Sequence, residues 1–232
     1  MYEKNEHNQM VGCTVENWSP AAKPIKTIMQ GKYCTLELLE IDKHATQLFD
    51  SLSIDNQGES WTYLPYGPFS TCDEFRNWLQ ATMLDEDTVL YAILDFKTQI
   101  PLGICGYLRI NPEHGVIEVG HLHFSQLLKK TPAATEAMYL MMHYVFEELH
   151  YRRYEWKCHS LNQASQNAAL RLGFTFEGIF RQCNVFKNRN RDTAWFSIID
   201  KEWAEIREKF KKWLSPSNFD SNGNQRSSLR EI

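Results

Sequence analysis

The chain has 232 residues, enough for one large domain or two small ones with a buried core. Its 43% hydrophobic and 23% charged residues are typical of an ordinary globular protein. The formal net charge of -4 at pH 7 argues against nucleic acid as the main partner, because phosphate binding needs a strongly basic face.

No apolar run reaches the ~18 residues of a membrane span, and the first ten residues lack the apolar region of a secretory signal. The six cysteines are scattered and none belongs to a Cys-x-x-Cys pair. This spacing predicts free thiols in a reducing compartment, not a disulfide frame or a zinc site. We therefore expect a cytoplasmic protein that binds no metal and contacts no membrane.

The two ends of the chain differ in composition from its middle. Residues 1–30 are polar and without periodic pattern, which predicts a loose N-terminal arm. Residues 215–232 have the composition of a disordered tail. The domain is therefore expected to span residues 31–214.

The folded pattern begins at Gly31 with a strand, two helices and an antiparallel meander. Thr71 and Glu74 have the spacing of a capping box at the start of the second helix. The apolar runs that follow are nearly continuous, which predicts buried strands. In chain order the predicted elements are a strand at 32–39, helices at 42–52 and 70–84, and strands at 88–96, 101–110 and 116–124.

The second half alternates helices with strands. A helix from about Pro132 to His150 has apolar residues at a spacing of three to four, which predicts a core-facing surface. Gly173 follows a helical stretch as its C-terminal cap. The predicted elements are helices at 132–150 and 162–172, strands at 152–158, 174–187 and 193–199, and a last helix with Trp203, Ile206, Phe210 and Trp213 on one face.

This order predicts an α/β fold built on a mixed sheet. The sheet is expected to be mostly antiparallel, with helices on its flanks. One parallel crossover is expected at the helix that starts near Pro132, because parallel neighbours need a long connection.

Two separate motifs, "ATEAM" at 134–138 and "NQASQNAALRLGFTFEGIFR" at 162–181, resemble in matching order those of the GNAT superfamily of N-acetyltransferases. "NQASQNAALRLGFTFEGIFR" (162–181) resembles the pattern N-x-x-S-x(7)-G-F-x-x-E-G of the branch that includes ribosomal-protein N-terminal acetyltransferases. "ATEAM" (134–138) resembles a helix start in the same branch. The resemblance covers roughly residues 31–214. It implies acetyl-CoA as co-substrate and a primary amine as acceptor, either a protein N-terminus or a small molecule, which attacks the thioester directly.

The resemblance also implies a phosphate cradle before that helix, where family members usually carry glycine and this chain has Pro132. A helix N-terminus attracts phosphate without special side chains, and proline is favoured at its first position although it lacks a donor. The alternative is that Thr131 and Pro132 only cap a helix. The residues expected to hold the cofactor here are Lys129, Lys130, Thr131, Ala133, Ala134 and Thr135.

Glu118 is the first candidate for the general base, since a glutamate eleven residues before the cradle is the base in histone-acetylating relatives. The alternative is a strand glutamate paired with a lysine or arginine. His121 and His123 are further candidates because an unperturbed histidine titrates near neutrality. They alternate with Leu122 and should share one face of the strand. Packed, hydrogen-bonded histidines are the alternative.

The end of this strand, at His123 and Phe124, is also expected to contact the cofactor, and a backbone N–H there would meet the charge that develops on the thioester carbonyl. Many relatives protonate the leaving thiolate with a tyrosine, where this chain has Ala169. Ser165 could donate instead. Asn162 is implied to bind the pantetheine arm, and it could also cap its helix.

Three features bear on the acceptor. "WTYLPYGPF" (61–69) could form an acceptor-binding wall or a core plug. "KNRNRD" (187–192) could attract an acidic acceptor or form a solvated hairpin turn. Cys158 could suggest an acetyl-cysteine intermediate, although a buried packing cysteine is far more common.

Two other functions and the oligomeric state stay open. An acyl-CoA-binding protein without catalysis is the main rival, and an RNA-binding module would need a basic surface that the net charge does not promise. A homodimer is possible.

Overall fold

A sheet of eight strands organises the molecule, whose computed structural model describes residues 2–25, 27–55, 57–221 and 223–232. Two strands, β1 (Tyr2–Lys4) and β2 (Met10–Gly12), form a separate small sheet, and the large sheet consists of β3 (Ile28–Gln30), β4 (Cys34–Leu38), β5 (Val89–Asp95), β6 (Pro101–Asn111), β7 (Val116–Phe124), β8 (Arg153–His159), β9 (Thr175–Phe186) and β10 (Arg189–Ile199). The helices are α1 (Ile41–Leu52), α2 (Cys72–Met83), α3 (Pro132–His143), α4 (Gln163–Arg171) and α5 (Asp200–Trp213).

The order of strands in the large sheet is β3-β4-β5-β6-β7-β8-β10-β9. Every neighbouring pair is antiparallel except β7 and β8, which α3 connects as a parallel crossover. The mixed, mostly antiparallel α/β fold with one parallel crossover is therefore confirmed.

Helices cover the two faces of the sheet, and alternation along β5 shows how the sequence divides between them. Leu90, Ala92 and Leu94 pack with α1 and α2 on one face, whereas Tyr91 and Ile93 join the core beneath α3 and α5. Successive strand residues point to opposite faces, so a continuous apolar run can be buried on both sides.

Helix starts follow the capping chemistry of their sequences. The Oγ1 atom of Thr71 accepts the N–H of Glu74 at 3.2 Å, and that of Thr131 accepts the N–H of Ala134 at 3.2 Å. The helix predicted to run to His150 is α3 only as far as His143. A π-helical turn at Tyr144–Glu148 then leads to the next strand.

The two chain ends are more ordered than their composition predicted. Residues 2–12 form an exposed hairpin of β1 and β2, and β3 belongs to the large sheet, so the loose arm expected over 1–30 is wrong. The expected disordered tail is also wrong: Leu229 is buried, Phe219 packs on the core, and Asn218 donates to the carbonyls of Trp213 and Ser227. A few apolar side chains can anchor a polar segment on an existing core.

Within the part of the chain that the structure describes, no helix combines the length and apolar character needed to span a bilayer.

Candidate active site

The parallel pair β7 and β8 separates halfway along its length. The two strands pair from Val116 opposite Arg153 to Val119 opposite Trp156. Beyond that point β7 continues against β6, while β8 continues against β10. An extra residue of β7 lies between Gly120 and His123 in this region, and His121 has a left-handed φ of 49°. Such a bulge bends a strand, and here it turns β7 away from β8.

A cleft of about 360 Å³ occupies the gap between the separated strands. Its floor comes from Gly120–Leu122 and Trp156–His159, with Asn162, the cap of α4, and Ser165 in its first turn. The loop that contains Tyr63–Tyr66, the turn before β5 and the β9–β10 hairpin form its walls. The backbone groups of β7 that face this gap no longer have a strand partner on β8, and a bound molecule could use them.

Ser165 lies at the start of α4 with its hydroxyl in this cleft. Its Oγ atom accepts the indole N–H of Trp156 at 3.0 Å. The hydroxyl also lies beside the thiol of Cys158, and because a hydroxyl can donate as well as accept, it can donate to a group in the cleft. The Oδ1 atom of Asn162 accepts the N–H of Ser165 at 3.0 Å, so Asn162 caps the helix as expected. The amide nitrogen of Asn162 can still donate to a ligand.

Cys158 has no property of an activated nucleophile. Its side chain is buried, and burial raises the pKa of the thiol more than the neighbouring Ser165 and Arg191 lower it. A thiol held in its protonated form is a poor nucleophile. The geometry therefore favours a packing role for Cys158.

Glu118 is at the centre of an ion-pair network where β7 and β8 are still paired. Its side chain is 3% exposed. Arg109 donates to both carboxylate oxygens, from Nε at 2.7 Å and from Nη2 at 2.9 Å. Lys157 contributes a third contact at 2.8 Å and also contacts Glu155 at 2.8 Å. These contacts occupy both carboxylate oxygens, so the geometry favours the ion-paired strand glutamate over the general base.

His121 and His123 share one face of β7, and both contact the loop after α1. The Nδ1 atom of His121 lies 2.8 Å from the hydroxyl of Tyr66. His123 packs on Trp61, and its Nε2 lies 3.1 Å from the hydroxyl of Ser60. Burial, with a smaller effect of Arg109, lowers the pKa of His121 to about 4; burial and Lys129 lower that of His123 to about 3.

Of His121 and His123, only His121 borders the cleft, so these two histidines differ as candidates. Both imidazoles are neutral at pH 7, and their protonated forms are disfavoured, which makes either one a weak base. The imidazole of His123 turns into the aromatic cluster around Trp61. A cofactor could therefore meet the backbone of this residue but not its side chain. Phe124 follows it and packs partly buried on the core.

The expected cradle is a helix start with fewer free donors than a glycine-rich turn would have. Pro132 lacks an N–H, and the cap by Thr131 occupies the N–H of Ala134. Thr131 in turn donates its hydroxyl to the carbonyl of Leu128 at 2.7 Å. The small side chains of Ala133 and Ala134 keep the first turn thin. The positive end of the helix dipole remains available to an anion.

Charged groups around this helix start come from more elements than the sequence indicated. Lys129 and Lys130 are exposed, as expected for phosphate contacts, and the charge of Lys129 acts on Asp55 across the loop. Arg171, at the end of α4, donates to the buried hydroxyl of Thr135 at 2.8 Å. We did not predict Arg171, because its proximity to α3 depends on how α4 packs against the sheet.

The aromatic loop at 61–69 serves both as core and as wall. Trp61 is buried within an aromatic cluster, while Tyr63 and Tyr66 line the cleft. The Nζ atom of Lys187, at the tip of the β9–β10 hairpin, donates to the carbonyl of Trp61 at 3.0 Å. The tip of the hairpin is thus an exposed turn, as predicted, and this contact also joins it to the opposite wall of the cleft.

Across residues 2–25, 27–55, 57–221 and 223–232, no cluster of three or more His, Cys, Asp or Glu side chains could hold a metal ion.

Comparisons with known proteins agree with this architecture. Residues 35–175 match the family model described as "Acetyltransferase (GNAT) domain". The fold is similar to the crystal structure of a GCN5-related N-acetyltransferase from Brucella melitensis. The TM-score is 0.91 and the identity 44%, over 94% of this chain and 98% of that one.

Two further proteins are similar over most of their own length. An uncharacterized N-acetyltransferase from Bacillus licheniformis is 27% identical over 149 residues, 61% of this chain and 81% of that protein. The ribosomal-protein-serine acetyltransferase of Escherichia coli is 26% identical over 141 residues, 54% of this chain and 78% of that protein.

Proposed function

Because the chain belongs to the acetyltransferase (GNAT) domain family, whose members use acetyl-CoA, we propose that it transfers acetyl from acetyl-CoA to a primary amine in the β7–β8 cleft. The observation that carries this proposal is the early end of the β7–β8 ladder at Val119 and Trp156. It leaves backbone groups, a serine hydroxyl and a capped helix start around one gap.

The reaction joins the amine nitrogen to the acetyl carbonyl carbon and breaks the bond from that carbon to sulfur. Backbone N–H groups of β7 in the separated region would donate to the carbonyl oxygen while negative charge develops on it. The amine loses a proton to solvent, and the leaving thiolate gains one.

Ser165 is the proposed donor of the proton to the leaving thiolate. Its hydroxyl oxygen accepts from Trp156 and borders the cleft, so its O–H can rotate to donate to a thiolate there. A thiol of pKa ~8.5 is a tolerable leaving group, so the contribution of this proton is modest. The amide of Asn162, whose oxygen caps α4, is proposed to donate to the pantetheine arm.

The weak bases of the cleft favour an acceptor that loses its proton readily. A lysine side chain of pKa ~10.4 costs about 4.6 kcal/mol to deprotonate at pH 7, whereas an α-amino group near 7.7–8.0 costs only ~1 kcal/mol. Glu118 is held by Arg109 and Lys157, and the neutral His121 resists protonation. We therefore propose an α-amino group as acceptor, on a peptide N-terminus or on a small molecule. The ribosomal-protein-serine acetyltransferase among the relatives is consistent with the former.

The pyrophosphate is proposed to lie at the start of α3. The thin wall at Ala133 and Ala134 lets it approach the helix dipole, and Lys129 and Lys130 supply positive charge that glycine would not. Arg171 and the hydroxyl of Thr135 would add contacts from the side of α4.

The proposal is tested by coenzyme A release from acetyl-CoA with N-terminal peptides, amino acids, polyamines and aminoglycosides as acceptors. Release is expected with α-amino compounds. The rival, a binding protein without catalysis, predicts that acetyl-CoA raises the melting temperature while no amine causes release. None of the comparisons favours that rival.

A further inference from the structure

Arg191 is a half-buried cation on the wall of the cleft. It lies on β10, and its guanidinium carbon is 4.7 Å from the centre of the Phe186 ring. Among the residues that the structure describes, its guanidinium forms no ion pair and no hydrogen bond, and its Nε atom is buried without a partner. Burial lowers the pKa of Arg191, the sign of a desolvated charge.

The other cations at the cleft already have partners. Arg109 and Lys157 share the carboxylate of Glu118, and Lys187 donates to a backbone carbonyl. A buried guanidinium without a carboxylate is costly unless a ligand supplies the anion. Arg191 is thus the group to which an anionic part of a bound molecule would be attracted.

Acidic groups lie on the opposite side of the cleft. Asp85 and Asp87, in the turn before β5, are exposed and border the same cavity. In the strand order β5-β6-β7-β8-β10, the gap between β7 and β8 separates this turn from Arg191. The cleft therefore has a negative side and a positive side, with the proposed reaction site between them. A molecule with both an ammonium and a carboxylate group matches that arrangement.

We infer that the acceptor carries a carboxylate beside its amine and that Arg191 binds this carboxylate. The inference rests on the proposed function and specifies its substrate class. The carboxylate can be the α-carboxylate of a free amino acid or the side chain of an N-terminal aspartate or glutamate. In both cases a planar guanidinium can pair with the carboxylate through two parallel hydrogen bonds.

The walls of the cleft set a limit on the size of this acceptor. The contact between Lys187 and the carbonyl of Trp61 joins the β9–β10 hairpin to the aromatic loop. Tyr63, Tyr66 and Phe186 line the same cavity as Arg191. The acceptor must therefore fit between these two walls.

The test compares kcat/KM for matched acceptors by coenzyme A release. Free amino acids are paired with their carboxamides, and peptides that begin with Asp or Glu with those that begin with Asn or Gln. The wild type should prefer the carboxylate member of at least one set by about 10- to 100-fold, the range of a charged hydrogen-bonded pair. The set in which this preference appears identifies the carboxylate as the α-carboxylate of an amino acid or the side chain of an N-terminal residue.

Arg191→Gln should abolish this preference, and Arg191→Lys should retain part of it, because an ammonium keeps the charge but not the paired donors. Arg189→Gln, which removes an exposed arginine of the same hairpin, is the matched control and should leave the preference unchanged. Each variant is also assayed for stabilisation by acetyl-CoA, which verifies that it folds and binds the co-substrate. The amines within a pair differ in basicity, which itself affects kcat/KM. Because each variant is compared with the wild type on the same acceptors, this difference does not affect the comparison.

If the wild type acetylates amines but does not prefer those with a carboxylate, the inference is overturned and the proposed function stands. The same conclusion follows if the wild type has the preference and Arg191→Gln leaves it intact. Failure of the wild type to acetylate any amine of either set, or any polyamine, would overturn the proposed function and the inference with it.

Discussion

The paired and the separated halves of β7 and β8 differ in whether their polar and charged groups have partners. In the paired half, Glu118 and Glu155 are compensated by Arg109, Arg153 and Lys157, and the backbone groups are used by the ladder. In the separated half, Arg191 has no anion and Ser165 has a proton to donate. Charged side chains that compensate one another stabilise the strand pair, whereas unpartnered groups around a gap are available to a ligand.

Glu118→Gln tests whether the paired half is structural. The substitution leaves Lys157 and Arg109 without a full counter-charge, so the free energy of unfolding should fall by about 3 kcal/mol, as measured by urea denaturation. Any fall in activity should be the same at pH 7 and pH 9. A general base predicts the opposite, because above pH ~8 an α-amine deprotonates unaided and activity recovers. Normal stability together with recovery at high pH would restore Glu118 as the base.

Ala134→Leu tests whether the start of α3 receives the cofactor. A ligand at about 100 times its dissociation constant adds ~2.7 kcal/mol of stability, and the leucine side chain should remove this gain by blocking approach to the helix start. Ala134→Gly is the matched control, since glycine keeps the helix start thin, and it should keep the thermal shift with acetyl-CoA. An undiminished shift in the leucine variant would place the cofactor elsewhere.

His121 gives the separated half a pH-dependent stability. Its pKa in the folded protein is about 4, below the ~6.5 of an unfolded chain. Between these values the unfolded chain binds a proton that the folded protein does not, so stability is present above pH ~6.5 and is lost as the pH falls. From pH 7 to pH 5 the loss attributable to His121 is at most about 2 kcal/mol.

His121→Asn should remove that part of the pH dependence, because asparagine tolerates the left-handed backbone and does not titrate. Urea denaturation at the two pH values measures it. His114→Asn, at an exposed position, is the control and should leave the slope unchanged. An equal slope in the wild type and in His121→Asn would mean that His121 is not desolvated.

Ser165→Ala should have the smallest effect, about a 10-fold loss of kcat, because the leaving thiol needs little help from an acid. Ser165→Thr keeps a hydroxyl and should retain most of the rate. Steady-state kinetics on a verified acceptor measure both variants. If Ser165→Ala had the wild-type rate, solvent would be the proton donor. The separated half of β7 and β8 would then only position the reactants.

Local patterns predicted the framework of the molecule well. Periodicity placed the elements, the Thr71 cap follows from nearest-neighbour chemistry, and the crossover at α3 follows from the need to connect parallel strands. These features depend on residues that are close in the sequence.

The contacts in the candidate site depend on the pairing register of the strands, which cannot be read from the sequence. Arg109 meets Glu118 because β6 and β7 pair with Leu108 opposite Glu118, and Lys157 meets it because β8 lies alongside. Arg191 was recognisable only as part of a charged hairpin. Its lack of a partner depends on where β10 crosses the cleft.

The most direct test of the central claim, acetyl transfer to an amine in the separated half, is the ratio of acetylated amine to coenzyme A released. Product is followed by mass spectrometry and thiol by absorbance in the same reaction, with and without an α-amino acceptor. One acetylated amine should appear for each coenzyme A, and release should be negligible when the amine is omitted. Release at the same rate without an amine, or without acetylated product, would contradict the account.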